Sequence, residues 1–376
     1  MGCSEYRMFL DGAPATALQL ARFEDITVEQ ETDLAWEARL QVPLCVDTNG
    51  NWSVETESFL QGMSRIRIEA SIQSGPWVAL IDGPIVDQRS EMIGDPGKSQ
   101  VTLVVMDDSF YLHRDETVRA FQGISDDMVA LQLFEGISQL AMGDADTVPA
   151  ASQTGFDTTV MRGTDAELLQ QMAKRQHMHA YVLPGSSPGK SVGCFKRDPD
   201  PAVDFGLKPM VLTGNGRNIF HFNSNNPAGQ TAVFQSTRVS LNDRSTDDRT
   251  ADPLQIPQFG TDPTQGPSVK RLLRPGQPDA VDNNRAVQAA SERASFVMTA
   301  EGEVMKDTNP SILQPYMNVQ VAGVNGRLSG TWLIRQVTHT LTRNSYGQQF
   351  KAIRNAQSSG TGTPPPAYPS PSRCSK

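Results

Sequence analysis

The 376-residue sequence predicts a mainly β protein: a β-barrel first, an α+β insert of helices and a hairpin, then a second β-region. Three observations predict it. Residues 35–44 and 64–72 alternate apolar and polar side chains with period two, which sets one face of a strand against a core. The dipeptides Asp11-Gly12, Asn49-Gly50 and Asp82-Gly83 read as tight turns between such runs. The 30 glycines and 25 prolines suit a loop-rich β architecture.

The first unit covers residues 1–112. Trp36, Ala38, Leu40, Val42 and Leu44 face one way, and Glu37, Arg39 and Gln41 the other. Ile66, Ile68, Ala70 and Ile72 likewise oppose Arg65, Arg67 and Glu69, so each strand is expected to have one wet face. Short strands between tight turns favour a closed or nearly closed barrel, because closure removes exposed edges.

The texture changes after Asp107-Asp108. Ser125-Asp126-Asp127 offers capping side chains ahead of Ala130, Leu133, Phe134, Ile137 and Leu140, which are spaced for a helix. Thr164-Asp165-Ala166-Glu167 is a capping box, in which Thr oxygen and Glu carboxylate each satisfy an orphan backbone N–H. Leu168, Leu169, Met172 and Ala173 form the apolar stripe of that helix. Residues 177–183 and 191–195 read as a hairpin around a turn at 184–189, completing an α+β unit over 113–205.

Residues 206–356 return to strands: 210–212, 218–222, 231–241, 296–305, 317–324, and a hairpin at 329–355. The hairpin turns at Arg343-Asn344-Ser345-Tyr346-Gly347. Between 246 and 279 six prolines (Pro253, Pro257, Pro263, Pro267, Pro275, Pro278) argue against regular structure over most of the stretch. Residues 280–293 suit a short helix with Arg285 and Arg293 exposed. The Pro/Ser-rich tail, 357–376, reads as disordered. Ser74-Gly75-Pro76-Trp77-Val78 echoes Ser329-Gly330-Thr331-Trp332-Leu333, and either duplication or coincidence explains so short a match.

Net charge is −9 with a pI of about 5.1. That balance argues against stable nucleic-acid binding by phosphate neutralisation. Cys3, Cys45, Cys194 and Cys374 lack metal or redox spacing and read as thiols of a reducing compartment. No run of 18 apolar residues predicts a membrane span. The N-terminus lacks the basic-then-apolar pattern of a secretion signal, and Tyr6 stands where a myristoylation site wants Ser or Thr.

Four constellations invite a chemical reading. Gly185-Ser186-Ser187-Pro188-Gly189-Lys190-Ser191 looks like a phosphate loop, but it has three residues between its glycines instead of four and a strand after it. His177 and His179 share a strand face, without a third ligand at a familiar spacing. His339 with Asp307 and a serine lacks a nucleophile elbow; beside Leu333, Val337 and Leu341 it reads as a packed, hydrogen-bonded histidine. Paired carboxylates for sugar cleavage can be drawn anywhere among 42 acidic residues. No residue is therefore assigned as catalytic, cofactor-binding or metal-ligating, and no cofactor is expected.

The order of three blocks resembles a known family. Asp82-Gly83-Pro84-Ile85-Val86, followed by 101–111 and Leu112-His113-Arg114, is similar to its Gly-x-Val strand and Leu-x-Arg close. The run from Arg162 through the capping box to Lys174-Arg175, followed by Ala180-Tyr181-Val182, resembles its helix and short aromatic strand. The 329–355 hairpin resembles its last strands. The family is the baseplate hub of contractile tails: phage tail hubs, the late control protein D group, and the N-terminal portion of type VI secretion spike proteins. The resemblance covers most of residues 20–240 and 290–355. It implies two hub-type β-barrel domains around the α+β unit and a non-enzymatic homotrimer whose pseudo-sixfold ring joins a sixfold tail tube to a trimeric spike. It also implies a tail-baseplate location, assembly in the bacterial cytoplasm, and contact with wedge or other baseplate proteins but not with a membrane. With only a polar, Pro-rich stretch after Asn355, the central spike is expected to be a separate polypeptide. Residues 246–279 and the tail would be arms that grip it. A tail-tip peptidoglycan hydrolase or cell-wall-binding protein is the alternative.

Overall fold

The computed structural model describes residues 4–53, 57–148, 158–228, 231–239, 246–251, 256–263, 268–273, 283–305, 308–342 and 345–359. One 13-stranded sheet runs through them. From one edge its strands are Ile219–Asn225, Met298–Val304, Ser345–Arg354, Gly330–Thr342, Asp25–Glu31, Glu37–Pro43, Gln100–Met106, Val78–Glu91, Arg65–Ile72, Ser4–Leu10 and Ala13–Pro14. Asn318–Ala322 pairs with Gly330–Thr342, and Met210–Val211 pairs with Asn318–Ala322.

Each half of the sheet curls over a core of its own. Trp36, Ala38, Leu40, Val42 and Leu44 are all buried in the first half, with Ile66, Ile68, Ala70 and Ile72. Trp332, Ile334, Val337, Phe350 and Ala352 fill the second. The halves join where Gly330–Thr342 pairs antiparallel with Asp25–Glu31, from Gln336↔Glu31 to Thr342↔Asp25. Leu341 and Tyr346 reach across this seam into the first core.

Two long strands organise the sheet. Val78–Glu91 pairs with Arg65–Ile72 as far as Pro84, then with Gln100–Met106 from Ile85 onward, with an irregularity between Ile85 and Asp87. Gly330–Thr342 pairs on one side with Asn318–Ala322 as far as Leu333, then with Asp25–Glu31 from Gln336. Its own irregularity falls between Ile334 and Gln336. A register shift re-aims a strand, and here each long strand leaves one partner for another.

The α+β unit has a third core, from Leu112 to Phe195. Helix Asp165–Gln176 starts with the expected capping box: Glu167 N–H donates to Thr164 Oγ1 (3.2 Å) and Thr164 N–H to Glu167 Oε2 (3.0 Å). Leu168, Leu169, Met172 and Ala173 are buried. Helix Asp126–Glu135 starts at Ser125 without a side-chain cap, and the carboxylate of Asp126 takes Arg175 Nε at 2.7 Å. Strands His179–Pro184 and Ser191–Lys196 pair as a hairpin, with Leu140–Ala145 parallel beside the second.

Several expectations are overturned. Asp82-Gly83 is no turn; it lies inside Val78–Glu91. A Cβ on Gly83 would stand 1.7 Å from Met106 O, so the glycine serves a close backbone approach. The polar face of Arg65–Ile72 is not wet, since Arg67 and Glu69 are buried. The 246–279 stretch carries strands Thr246–Thr250, Asp262–Pro263 and Val269–Leu272, and Thr246–Thr250 and Val269–Leu272 flank Ala232–Val239 in a small sheet. Backbone ladders there place hydrogen bonds that composition alone does not reveal. His177 caps its helix in the left-handed region (φ 53°) and lies outside the strand. Arg293, at the end of helix Asn283–Arg293, is half-buried, its Nη2 donating to Lys174 O at 3.0 Å. Trp77 is 38 % exposed, while Trp332 is fully buried. The echo therefore does not extend to packing. Asp307, Arg343, Asn344, Cys3, Cys374 and residues 360–376 lie outside the described residues.

Candidate functional site

Three largely buried polar junctions mark where this fold concentrates its charged and hydrogen-bonding side chains. The first explains the buried Arg67 and the partly buried Arg65 of Arg65–Ile72. The 185–190 turn, where the sequence hints at a phosphate loop, docks on the strand. Arg67 Nη1 donates to Gly185 O (2.7 Å), and Gly189 N–H donates to Asp82 Oδ2 (3.0 Å). Arg67 also reaches Glu69 (2.7 Å) and Asp82 (3.1 Å). Arg65 bridges Asp82 (2.7 Å) and, with both terminal nitrogens, Asp108 (2.8 and 2.5 Å). Ser191 Oγ donates to Asp108 as well, at 2.6 Å. With Arg7 on Glu69 (2.6 Å), three guanidiniums meet three carboxylates. Forked, charge-matched pairing is what makes burial of so many ions tolerable. Gly185, Gly189 and Lys190 spend their amides on protein carbonyls and a carboxylate.

The second junction gathers all three cores. His179 opens its strand with Nδ1 2.7 Å from Asp33 Oδ1 and Nε2 3.0 Å from Asp198 Oδ1. Arg335, from the second half of the sheet, places Nη1 3.1 Å from the same Nε2 and Nη2 3.1 Å from Asp198 Oδ2. Burial works against charge on this imidazole, but Asp198 and Asp33 outweigh it and raise its pKa. Burial is likewise outweighed at Asp198, where Arg335 and His179 hold the carboxyl far below its usual range. His177 stands 3.4 Å from Glu292 and 3.9 Å from Asp198. Both histidines of the pair thus converge on Asp198, beside Arg335. Among the described residues no His, Cys, Asp and Glu cluster is arranged to hold a metal ion.

The third junction is a clamp on the second half. Arg354 is 1 % exposed and none of its hydrogen bonds goes to a carboxylate. It donates to Phe259 O (2.9 Å), Leu328 O (3.4 Å), Ser329 O (3.1 Å) and Ser358 Oγ (2.8 Å), with Trp332 stacked nearby. Burial without a counter-charge lowers its pKa to about 10. Asn355 accepts from Phe259 N–H (2.9 Å), and Asp262–Pro263 pairs with Ala356–Gln357. The proline-rich stretch is thereby tied to the chain just after the last long strand.

The remaining candidates, His339 and Cys194, are buried. His339 is fully buried; Gln30 donates to Leu80 O (2.7 Å), so its Oε1 faces His339 Nε2 (3.1 Å) as an acceptor. The ring is then Nε2-protonated, and Nδ1 accepts from the Tyr346 hydroxyl (2.8 Å). Burial lowers its pKa to about 3, and Gln30 and Tyr346 engage both ring nitrogens. Burial pushes the Cys194 thiol up to about 12, which leaves no thiolate to act as a nucleophile. A cleft between Asp33, Ser109, His113, Phe134 and Tyr181 encloses about 30 Å³, space for about two waters. Sequence reasoning noted His177, His179 and the 185–191 turn but missed Asp33, Asp82, Asp108, Asp198, Arg335 and Arg354. The one available signal was three charged residues, Arg65, Arg67 and Glu69, on a strand whose other face is strongly apolar.

No protein-family model and no curated protein matches the sequence. Solved structures do match its fold. A 43 kDa tail protein of prophage MuSo2 from Shewanella oneidensis aligns at a TM-score of 0.58 and 12 % identity, over 94 % of this chain and 99 % of its own. A tail protein from Neisseria meningitidis MC58 aligns at 0.54 and 14 %, over 94 % and 97 %. The E. coli c3393 protein, a type VI secretion component described as similar to T4 tail proteins gp27 and gp5, aligns at 0.53 and 11 %, over 92 % and 76 %. At such identities the likeness is one of fold. The chain has the fold of these tail and type VI secretion proteins: mainly β, with two hub-type β-barrels and an α+β insert.

Proposed function

We propose that this chain is a structural hub of a contractile phage tail or a phage-like injection particle. Three copies form a ring whose six barrels match a sixfold tube on one side and a trimeric spike on the other. The observation that carries the reading is the seam. Gly330–Thr342 and Asp25–Glu31 weld two separately cored half-sheets into one continuous sheet, a rigid pair of barrels repeated within one chain. The tail-protein fold over more than nine-tenths of the chain supports it. The role is geometric, with no catalytic step and no cofactor. The clamped segment around residues 257–263, together with the chain after Gln357, is the natural grip for the spike or for neighbouring baseplate proteins. The ring sits at the baseplate end of the tail and is assembled in the bacterial cytoplasm.

Removing the chain from a producing strain tests this. Electron microscopy should then show tubes or sheaths without a spike-bearing tip, and restored chain should localise between tube and spike. Complete tips without it, or clearing of a peptidoglycan gel by the purified chain, would overturn the proposal.

A further inference from the structure

Nε2 of His179 has two suitors that require opposite protonation states. Arg335 Nη1, at 3.1 Å, can only donate, so that contact is a hydrogen bond when Nε2 is bare. Asp198 Oδ1, at 3.0 Å, can only accept, and it is buried with no other hydrogen-bond partner. Nδ1 holds its proton toward Asp33 in both cases. A neutral ring satisfies Arg335 and leaves Asp198 Oδ1 without a donor. A protonated ring supplies that oxygen and turns its N–H against Arg335, whose Nη2 keeps Asp198 Oδ2 at 3.1 Å.

The four groups come from three places. Asp33 sits in the turn between Asp25–Glu31 and Glu37–Pro43, His179 opens the α+β hairpin and Asp198 follows its second strand, and Arg335 lies at the irregular point of Gly330–Thr342. The remaining charged and titratable neighbours are Glu292 and Arg293 at the end of helix Asn283–Arg293, His177, Tyr316 and Tyr181. Tyr316 packs its ring 5.4 Å from His179, stacks on Tyr181 at 3.7 Å, and takes Asp33 N–H on its hydroxyl. Asp33, Asp198 and Glu292 bring three negative charges, whereas Arg335 and Arg293 bring two positive ones. Counted without His177, a charged His179 balances the group and a neutral one leaves an excess of one carboxylate, the costlier arrangement.

We propose that His179 is a proton-operated latch, whose protonation seats the α+β unit on both halves of the sheet and whose deprotonation loosens that seat. The inference stands on the junction's geometry and not on the chain's role in a tail. The sign follows from the raised pKa of the ring. Its contribution is complete below the unfolded value, about 6.5, and is lost as pH rises through the folded value. The aspartates act in the opposite sense, since their pKa values are lowered, and their contribution fades only in acid below about 4.

Imidazole-labelled full-length protein, followed by 15N NMR between pH 5 and 9, reads the ring directly. One of the five histidines, assigned by its loss in His179→Gln, should carry both protons at pH 6.5 and titrate above it. Hydrogen exchange, corrected for intrinsic rates, should accelerate across residues 177–198 and 330–338 as that proton leaves, by about tenfold or more. In Asp198→Asn the titration should move down. A His179 ring already neutral at pH 6, or exchange at the junction that follows intrinsic rates through the titration, would overturn the latch. The wild-type measurements decide this even where a variant fails to fold.

Discussion

The two long strands, Val78–Glu91 and Gly330–Thr342, do the same topological job with different chemistry. Each leaves a hairpin partner midway and takes up another strand, and each half-sheet has a loop fastened to it. In the first half the fastening is ionic: Arg65 and Arg67 lie among Glu69, Asp82 and Asp108 and hold the 185–190 turn. In the second it is a lone cation, Arg354, held by carbonyls and a hydroxyl. The difference matters for failure. Losing an arginine from the first set strands buried carboxylates, whereas losing Arg354 strands only neutral acceptors. Paired charge makes a joint that fits one partner and collapses without it; neutral acceptors make one that weakens by degrees.

The comparison is most readily broken at Gly83. Its missing Cβ admits Met106 O, so Gly83→Val should abolish cooperative unfolding in a urea titration; a variant that unfolds like wild type would show that the strand exchange tolerates separation. Next comes the contrast between cations. Arg67→Met should cost about 3–5 kcal/mol, the scale of breaking a buried ion pair. Arg354→Met should cost less, about 1–3 kcal/mol, the scale of a buried acceptor left unmet, and should expose the chain near residue 260 to protease. Equal losses would erase the distinction drawn here. The Trp pair sharpens it further. Trp332→Ala should cost about 3–5 kcal/mol, as large core truncations do, while Trp77→Ala should stay under about 1 kcal/mol because the ring lies at the surface under Arg7.

The smallest effect is a slope. His339 is neutral in the fold, its pKa lowered to about 3, so its contribution is present above about 6.5 and is lost as pH falls below that value. Each unit of acidification toward pH 3 should cost about 1.4 kcal/mol through this residue. His339→Gln keeps a donor and an acceptor at the site and should flatten that part of the stability profile measured by denaturant. His179 slopes the other way on the alkaline side, so the two histidines are separable by pH alone.

Most of the fold was legible because most of its signals are local. Alternation placed Trp36 through Leu44 on one buried face, and Thr164 and Glu167 announced their helix through a bond pattern three residues long. What failed was non-local. Asp82-Gly83 has turn chemistry, and only the approach of Met106, from another strand, shows that the glycine serves the middle of a strand. Arg65, Arg67 and Glu69 looked solvent-facing because charged residues usually are; a docked turn more than a hundred residues away covers them. Arg293 looked exposed for the same reason, with no local sign of Lys174 O. The candidate junctions were the least legible part. His179 finds Asp33 across 146 positions and Arg335 across 156, separations that no motif encodes. The 246–279 stretch misled through its prolines, since Thr246–Thr250 precedes the first of them, Val269–Leu272 lies clear of them, and Pro263 itself ends a two-residue strand paired with Ala356–Gln357.

The central claim is that two welded barrels per chain are made to be repeated three times around an axis. The native mass of the purified chain at particle-like concentrations tests it most directly. The account predicts a dominant species at three times the 41.0 kDa chain mass, stabilised further when a spike or tube protein is added. A species that stays at the mass of one chain, alone and with those partners, would contradict it.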